Sequence, residues 1–184
     1  MRSPIGAGSG NLCALDSSSY CIRDAVDGDM PALRDLYNAL IPTTTVAWTE
    51  SLQTLRDRRA WFRRQQRFRY PVLVAETSSE VVGFAAYGSF RGSGKWPGYR
   101  HTVEHTIHVR QDVHGCGIGR GLLEALIDRA QSVDVHVMVA AIDAANSGSI
   151  AFHERLGFTV VARMPEVGRK FDRWLDLVLM QRIL

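Results

Sequence analysis

The chain has 184 residues, a formal net charge of +3 and 46% hydrophobic residues, which suits one domain with a sizeable core. No apolar run approaches the roughly 18 residues that span a bilayer, and the start lacks the basic-then-apolar order of a signal peptide, so the reading is a cytoplasmic protein without a membrane partner; the small charge does not demand nucleic acid. Cys13, Cys21 and Cys116 are odd in number and lack C-x-x-C spacing, which points to buried or loop thiols rather than to a disulfide framework or a zinc site.

Residues 1–19, rich in Ser and Gly with little periodicity, read as a mobile tail, leaving 20–184 as a single domain. Residues 21–25 predict a first strand. Asp29 then caps a helix with Pro31 in its first turn and Leu33, Leu36, Tyr37 and Leu40 on one face, and the Pro-Thr-Thr-Thr stretch at 42–45 breaks it. Ser51 is the expected cap of the next helix, where Arg56, Arg58, Arg59, Arg63, Arg64, Arg67 and Arg69 surround Trp61 and Phe62. Such a helix could serve RNA through phosphate contacts and stacking. A solvated arginine face, with the aromatics at core-facing spacing from Leu52 and Leu55, is the simpler reading. The apolar runs 71–75 and 81–87, parted by a polar turn at 78–80, predict a hairpin of central strands.

Four glycines and prolines between 91 and 99 mark a loop before a strand at about 100–109. Alternation puts Val103, His105, Ile107 and Val109 on one face of that strand and Thr102, Glu104, Thr106 and His108 on the other. His114-Gly115-Cys116-Gly117-Ile118-Gly119-Arg120 follows. Its glycines permit successive N–H groups to converge on an anion, and the helix after it adds a positive end, so the loop reads as a pyrophosphate cradle. It lacks the placement of a dinucleotide fingerprint and the Gly-Lys-Ser/Thr of a P-loop; a tight glycine turn without ligand is the alternative. Ile118, Leu122, Leu123, Leu126, Ile127 and Ala130 then pattern an amphipathic helix, 135–142 a buried strand, 149–156 a short helix ended by Gly157, and 174–180 a last strand. Along a strand His101 and His105 would stand about 13 Å apart with His108 on the other face, which argues against a metal site. His136 reads as a hydrogen-bonded core residue.

This order of elements, the glycine loop and three further motifs resemble the GCN5-related N-acetyltransferase (GNAT) superfamily over nearly the whole chain. The motifs are Tyr99-Arg100-His101-Thr102-Val103-Glu104-His105, Ser149-Ile150-Ala151-Phe152-His153-Glu154-Arg155-Leu156-Gly157-Phe158 and Val167-Gly168-Arg169-Lys170-Phe171-Asp172-Arg173-Trp174-Leu175-Asp176. They look most like those of bacterial phosphinothricin and methionine sulfoximine (methionine sulfone) N-acetyltransferases. The resemblance implies an α/β (α+β) fold with a central mixed, mostly antiparallel sheet, splayed at its middle and flanked by helices, with acetyl-CoA wedged between the strands at 104–109 and 135–142. Backbone groups around Ile107, His108 and Val109 would hold the pantetheine arm, and His114, Gly115, Cys116, Gly117, Ile118, Gly119 and Arg120 would wrap the pyrophosphate. Asn146 and Ser149 would fix the cofactor from the next helix. The superfamily loop starts with Gln or Arg and commonly carries an arginine inside, where this chain has His114 and Cys116. A cradle of backbone donors predicts weakened rather than lost affinity, with Arg120 supplying charge.

An amine attacks a thioester only after losing its proton, so a base is needed. Glu104 stands on the polar face of the cleft strand and matches the acidic residue to which the family gives that role; its unperturbed pKa near 4.3 requires burial or a relay through water. His153 matches a histidine of the phosphinothricin-type enzymes and would protonate the departing thiolate or, alternatively, only order the cofactor. For a zwitterionic acceptor, Arg91, Arg100 and Lys170 offer cations, Tyr99 and Thr102 line the mouth, and Trp48 closes it from the other side. The resulting expectation is a detoxifying enzyme that N-acetylates a small amino-acid analogue and, as the family implies, forms a homodimer. A protein or peptide N-acetyltransferase is the alternative, and a protein that only binds acyl-CoA or RNA a third possibility.

Overall fold

The sheet is covered on both faces, which is why its strands read as apolar runs rather than alternating ones. In the computed structural model, residues 19–184 are described except Ser79, Ser93 and Gly94; the tail expected over 1–19 lies, apart from Ser19, outside the described residues. The strands are β1 (Cys21–Asp24), β2 (Val72–Thr77), β3 (Glu80–Ser89), β4 (Thr102–Val109), β5 (Val137–Asp143), β6 (Thr159–Lys170) and β7 (Arg173–Ile183), in the order β1-β2-β3-β4-β5-β7-β6. All neighbours are antiparallel except β4 and β5, which are parallel.

Helices α1 (Met30–Leu40) and α2 (Leu55–Arg67) pack Met30, Leu33 and Phe62 on Val72, Val74, Phe84 and Ala86. On the other face α3 (Ile118–Gln131) buries Ile118, Leu122, Leu123, Leu126, Ile127 and Ala130, the six positions its periodicity selects. Helix α4 (Ser147–Arg155) adds Ile150 and Phe152 to that core. Gly157 ends α4 at φ +81°, a left-handed position that glycine takes without strain.

β4 bonds to β5 only at Thr102↔Val137, Val103↔Met138 and Glu104↔Val139. Beyond Glu104, β4 stays with β3 through Val109 while β5 follows β7 through Asp143, so the sheet opens into a wedge. The Arg110 amide donates to the Val82 carbonyl at 2.8 Å. By alternation, that turns the backbone groups of Ile107 and Val109 toward the gap rather than toward β3.

Several expectations need correction. Thr54, not Ser51, caps α2: its hydroxyl accepts from the Asp57 amide (3.2 Å) while the Asp57 carboxylate accepts from the Thr54 amide (3.0 Å), a reciprocal box that Ser51 lacks the acidic partner to form. Asp29 begins α1 as expected, but its carboxylate accepts from the Val26 amide and from Arg23. The arginine-rich helix is not solvated throughout, for Arg58 is 3% exposed and its guanidinium lies over Tyr37, Trp61 and Phe84. His136 is exposed, and Cys116 is disulfide-bonded rather than a thiol, whereas Cys21 is free. β6 was not foreseen, because at the sheet edge it is exposed on both sides and shifts register twice, leaving no alternation to read.

The β6–β7 hairpin clamps the loop between α1 and α2. Lys170 is 2% exposed, and its ammonium donates to the carbonyls of Thr44 and Ala47, both at 2.7 Å. The Glu50 carboxylate accepts from the Phe171 amide at 3.1 Å. The Trp48 ring lies flat on Gly168, where a Cβ would fall inside it. Gly168→Ala is therefore expected to push Trp48 aside and cost about 1–3 kcal/mol, read as a lower urea midpoint; an unchanged midpoint would show that the loop is not held by this contact.

Candidate active site

The wedge between β4 and β5 is roofed by the start of α3 and by α4, and it encloses a cavity of about 610 Å³. Eleven of the twelve residues expected to hold the cofactor line it: Ile107, His108, Val109, His114, Gly115, Gly117, Ile118, Gly119, Arg120, Asn146 and Ser149. Cys116 is the exception; it is buried with the core residues of α3. Gly115 and Gly117 adopt φ of +83° and +79°. Gly117 is the N-cap of α3 and no side chain caps that end, so the first amides of the helix are left for an anion.

The other members of the set fix one another. The His114 ring donates from Nε2 to the Val109 carbonyl (2.9 Å), tying the loop back onto β4. The Asn146 side chain accepts from the Ser149 amide (3.0 Å) and so caps α4. Arg120, expected to add charge, pairs with Glu124 at 2.8 Å. A glycine cradle, an uncapped helix start and turned-out strand backbone fit a long ligand with a pyrophosphate in its middle, which is the shape of acetyl-CoA.

Glu104 is the last β4 residue bonded to β5, and it opens onto a second cavity of about 410 Å³. That cavity is lined by Trp61, Arg64 and Gln65 of α2 and by Phe68 just after it, together with Tyr70, Tyr87, Ser89, His105 and Thr106. Desolvation by these walls raises the Glu104 carboxyl above its ordinary value, although the side chain keeps contact with solvent. Sequence reasoning missed the α2 contribution. The signal was the stripe Trp61, Gln65, Phe68 at helical spacing, in which Gln65 is buried and donates to the Tyr87 carbonyl at 2.7 Å.

The expected acceptor residues separate into two groups. Tyr99 packs on Phe90 (5.6 Å between centroids) with Arg91 over its ring (5.8 Å), while Arg100 points its guanidinium at the Pro97 carbonyl (3.5 Å) and Thr102 is half-buried. This group sits at the end of the β3–β4 hairpin, where Ser89 pairs with Val103, one position beyond Glu104. Trp48 and Lys170 lie in the clamp of the α1–α2 loop instead. Lys170 spends its ammonium on two carbonyls and is corrected here from a carboxylate binder to a structural cation; burial lowers its pKa.

His153 also departs from expectation. It is 2% exposed and lines neither cavity. Its Nδ1 lies 2.7 Å from the Ser149 carbonyl, which can only accept, so Nδ1 carries the proton and Nε2 a bare lone pair. Burial lowers its pKa. The proton on Nδ1 is held by the Ser149 carbonyl of the same helix and is aimed at neither cavity. Burial above all brings His105, packed on His153, to about 3, and on the opposite face of β4 burial followed by nearby Arg58 brings His108 to about 4. Among the described residues no group of three or more His, Cys, Asp or Glu could hold a metal ion.

The sequence profile of the Acetyltransferase (GNAT) family matches residues 33–158. The L-methionine sulfoximine/L-methionine sulfone acetyltransferase of Pseudomonas paraeruginosa is 48% identical over 164 residues, covering 89% of this chain and 94% of its own. The phosphinothricin N-acetyltransferase of Streptomyces coelicolor is 32% identical, covering 89% and 95%. Among solved structures, yncA of Salmonella typhimurium, determined with its cofactor acetyl-CoA, is similar with a TM-score of 0.86 at 43% identity over 90% of this chain and 94% of that one.

The buried histidines make a pH prediction. His105 and His108 titrate near 6.5 when unfolded but at about 3 and 4 when folded. The unfolded chain therefore takes up protons first, and stability present above pH 6.5 is lost as pH falls toward 4. At pH 5 each histidine should cost on the order of 2 kcal/mol relative to pH 8. Denaturant midpoints at the two pH values check this, and His108→Leu should flatten the dependence; a midpoint independent of pH would contradict it.

Proposed function

The chain belongs to the acetyltransferase (GNAT) family and is an acetyl-CoA-dependent N-acetyltransferase; on that premise we propose that it acetylates the α-amino group of a small amino-acid analogue of the methionine sulfoximine, methionine sulfone or phosphinothricin type. Transfer is by direct attack, with Glu104 as general base. The observation that carries this reading is the position of Glu104, at the last residue pair before β4 parts from β5, with its side chain on an aromatic-walled cavity.

The amides at the start of α3, with Gly115 and Gly117, would hold the pyrophosphate, the gap-facing backbone of Ile107 and the Val109 amide would hold the pantetheine arm, the Val109 carbonyl being taken by His114, and Asn146 and Ser149 would close the far side. Bound acetyl-CoA supplies an activated thioester acyl group. Glu104 takes a proton from the acceptor ammonium, directly or through one water, and its raised pKa brings it closer to the pH at which it must do so. Arg64 beside Glu104 and Arg91 at the hairpin end are the cations for the acceptor carboxylate, and Trp61, Phe68 and Tyr70 give its side chain an apolar wall.

A protein or peptide acceptor would favour an extended acidic groove, whereas Glu104 is the one acidic residue lining this bounded cavity. The small-molecule reading is therefore preferred, with detoxification as its role. It carries with it a cytoplasmic homodimer, for which the exposed Val161, Met164, Val167 and Trp174 on β6 and β7 are available surface.

The test is CoA release with acetyl-CoA and methionine sulfoximine, methionine sulfone, phosphinothricin, ordinary amino acids and short peptides. Glu104→Gln should lower kcat/KM by roughly 10²–10⁴-fold on the accepted analogue and abolish the acid limb of the pH profile, while acetyl-CoA affinity stays unchanged. Turnover confined to peptides, or a Glu104→Gln enzyme of normal rate, would overturn the proposal.

A further inference from the structure

His105 and His153 are an unusual buried pair. His105 sits on β4 directly after Glu104 and, by alternation, faces the opposite side of the sheet, toward α4. It is 8% exposed, and neither ring nitrogen has a hydrogen-bond partner. His153 Nε2 is likewise buried and unpartnered, and the two ring centroids lie 5.1 Å apart with the planes inclined by 32°. Phe158 packs against both rings, at 5.5 and 5.3 Å, and Phe152 against His153 at 5.0 Å, so the surroundings are apolar.

A neutral imidazole always carries one N–H, and burying it unpaired is costly. We propose that His105 is a positioning residue for the transfer reaction: its N–H donates to Nε2 of His153, and this neutral pair holds the first turn of α4 against the cofactor cavity. The geometry allows it, since a ring N–H···N bond of about 2.9 Å places two imidazole centroids roughly 5 Å apart. A half-turn of the His105 ring about its Cβ–Cγ axis exchanges carbon and nitrogen without changing the shape that is packed. The polar chain then runs from His105 through His153 to the Ser149 carbonyl, and Ser149 lines the cavity beside its cap partner Asn146. The pair acts on cofactor binding: His105 also borders the second cavity, but its ring packs on His153 and Phe158, and Glu104 faces the other way by alternation. The link to catalysis rests on the acetyl-CoA reading of that cavity.

Nitrogen-15 NMR of the histidines at pH 7.5 tests the pair without any ligand. His153 should be protonated at Nδ1 alone, with its Nε2 resonance shifted by an accepted hydrogen bond, and that shift should vanish in His105→Phe. In calorimetric titration, His105→Phe should weaken acetyl-CoA binding about tenfold, the loss of roughly one hydrogen bond. The acceptor KM should stay within twofold, and His105→Gln, which keeps an N–H donor, should recover most of the affinity. A His153 protonated at Nε2 in the wild-type protein, or a folded His105→Phe protein with wild-type acetyl-CoA affinity, would overturn the proposal. If all acceptors go unacetylated while the tautomer and the affinity change are as stated, the proposed acceptor falls and the histidine pair stands.

Discussion

Three residue pairs join β4 to β5, and the functional geometry depends on there being no more. A longer ladder would satisfy the backbone of Ile107 and Val109 and close the sheet. Ending it at Glu104 leaves polar backbone facing a gap, which a folded protein tolerates where water or a ligand can reach. The gap is held open from both sides: β4 is committed to β3 as far as Val109, and β5 to β7 as far as Asp143. Neither strand is free to follow the other. The start of α3 then meets the opening with its own unsatisfied amides, so two incomplete hydrogen-bonding systems face one cavity.

The acceptor side is built differently, by clamping rather than by leaving bonds unmade. The α1–α2 loop is fastened to β6 and β7 by Lys170, by the Glu50–Phe171 contact and by Trp48 against Gly168. A buried lysine that binds carbonyls and no carboxylate is a costly fastener, justified where a loop must keep one shape. It fixes the loop that leads into α2, whose Trp61, Arg64 and Gln65, with Phe68 at its end, line the cavity that Glu104 shares. The wall facing Glu104 and the hairpin that fastens the loop leading to it are thus more than a hundred residues apart in the chain.

What was legible in the sequence followed periodicity and backbone chemistry. The six apolar positions of α3, the hairpin of β2 and β3 and the glycine cradle each have a local cause, and the chain obeys it. The residues expected to hold the cofactor gather in one cavity because most of them lie on two consecutive elements, the end of β4 and the loop into α3. Side-chain roles were harder to read. Whether Lys170 reaches solvent or a carbonyl, or whether His153 has its proton free, depends on contacts with residues far away or on the ring's own helix turn, and residue type alone does not decide it. β6 escaped for the opposite reason: an edge strand exposed on both faces has no pattern to display. The arginines of α2 show both outcomes, since Arg58 is buried among aromatic rings while Arg64 stands in the wall of the second cavity.

The central claim is that one opening in the sheet brings an acyl-CoA and an amino acid together at Glu104. The most direct measurement is a crystal structure of the Glu104→Gln protein with acetyl-CoA and methionine sulfone both bound. The account predicts the pyrophosphate on the amides at the start of α3, the pantetheine arm along Ile107 and Val109, and the acceptor nitrogen within one water of the residue 104 side chain. An acceptor bound on the far side of β4, or a cofactor lying outside the β4–β5 wedge, would contradict it.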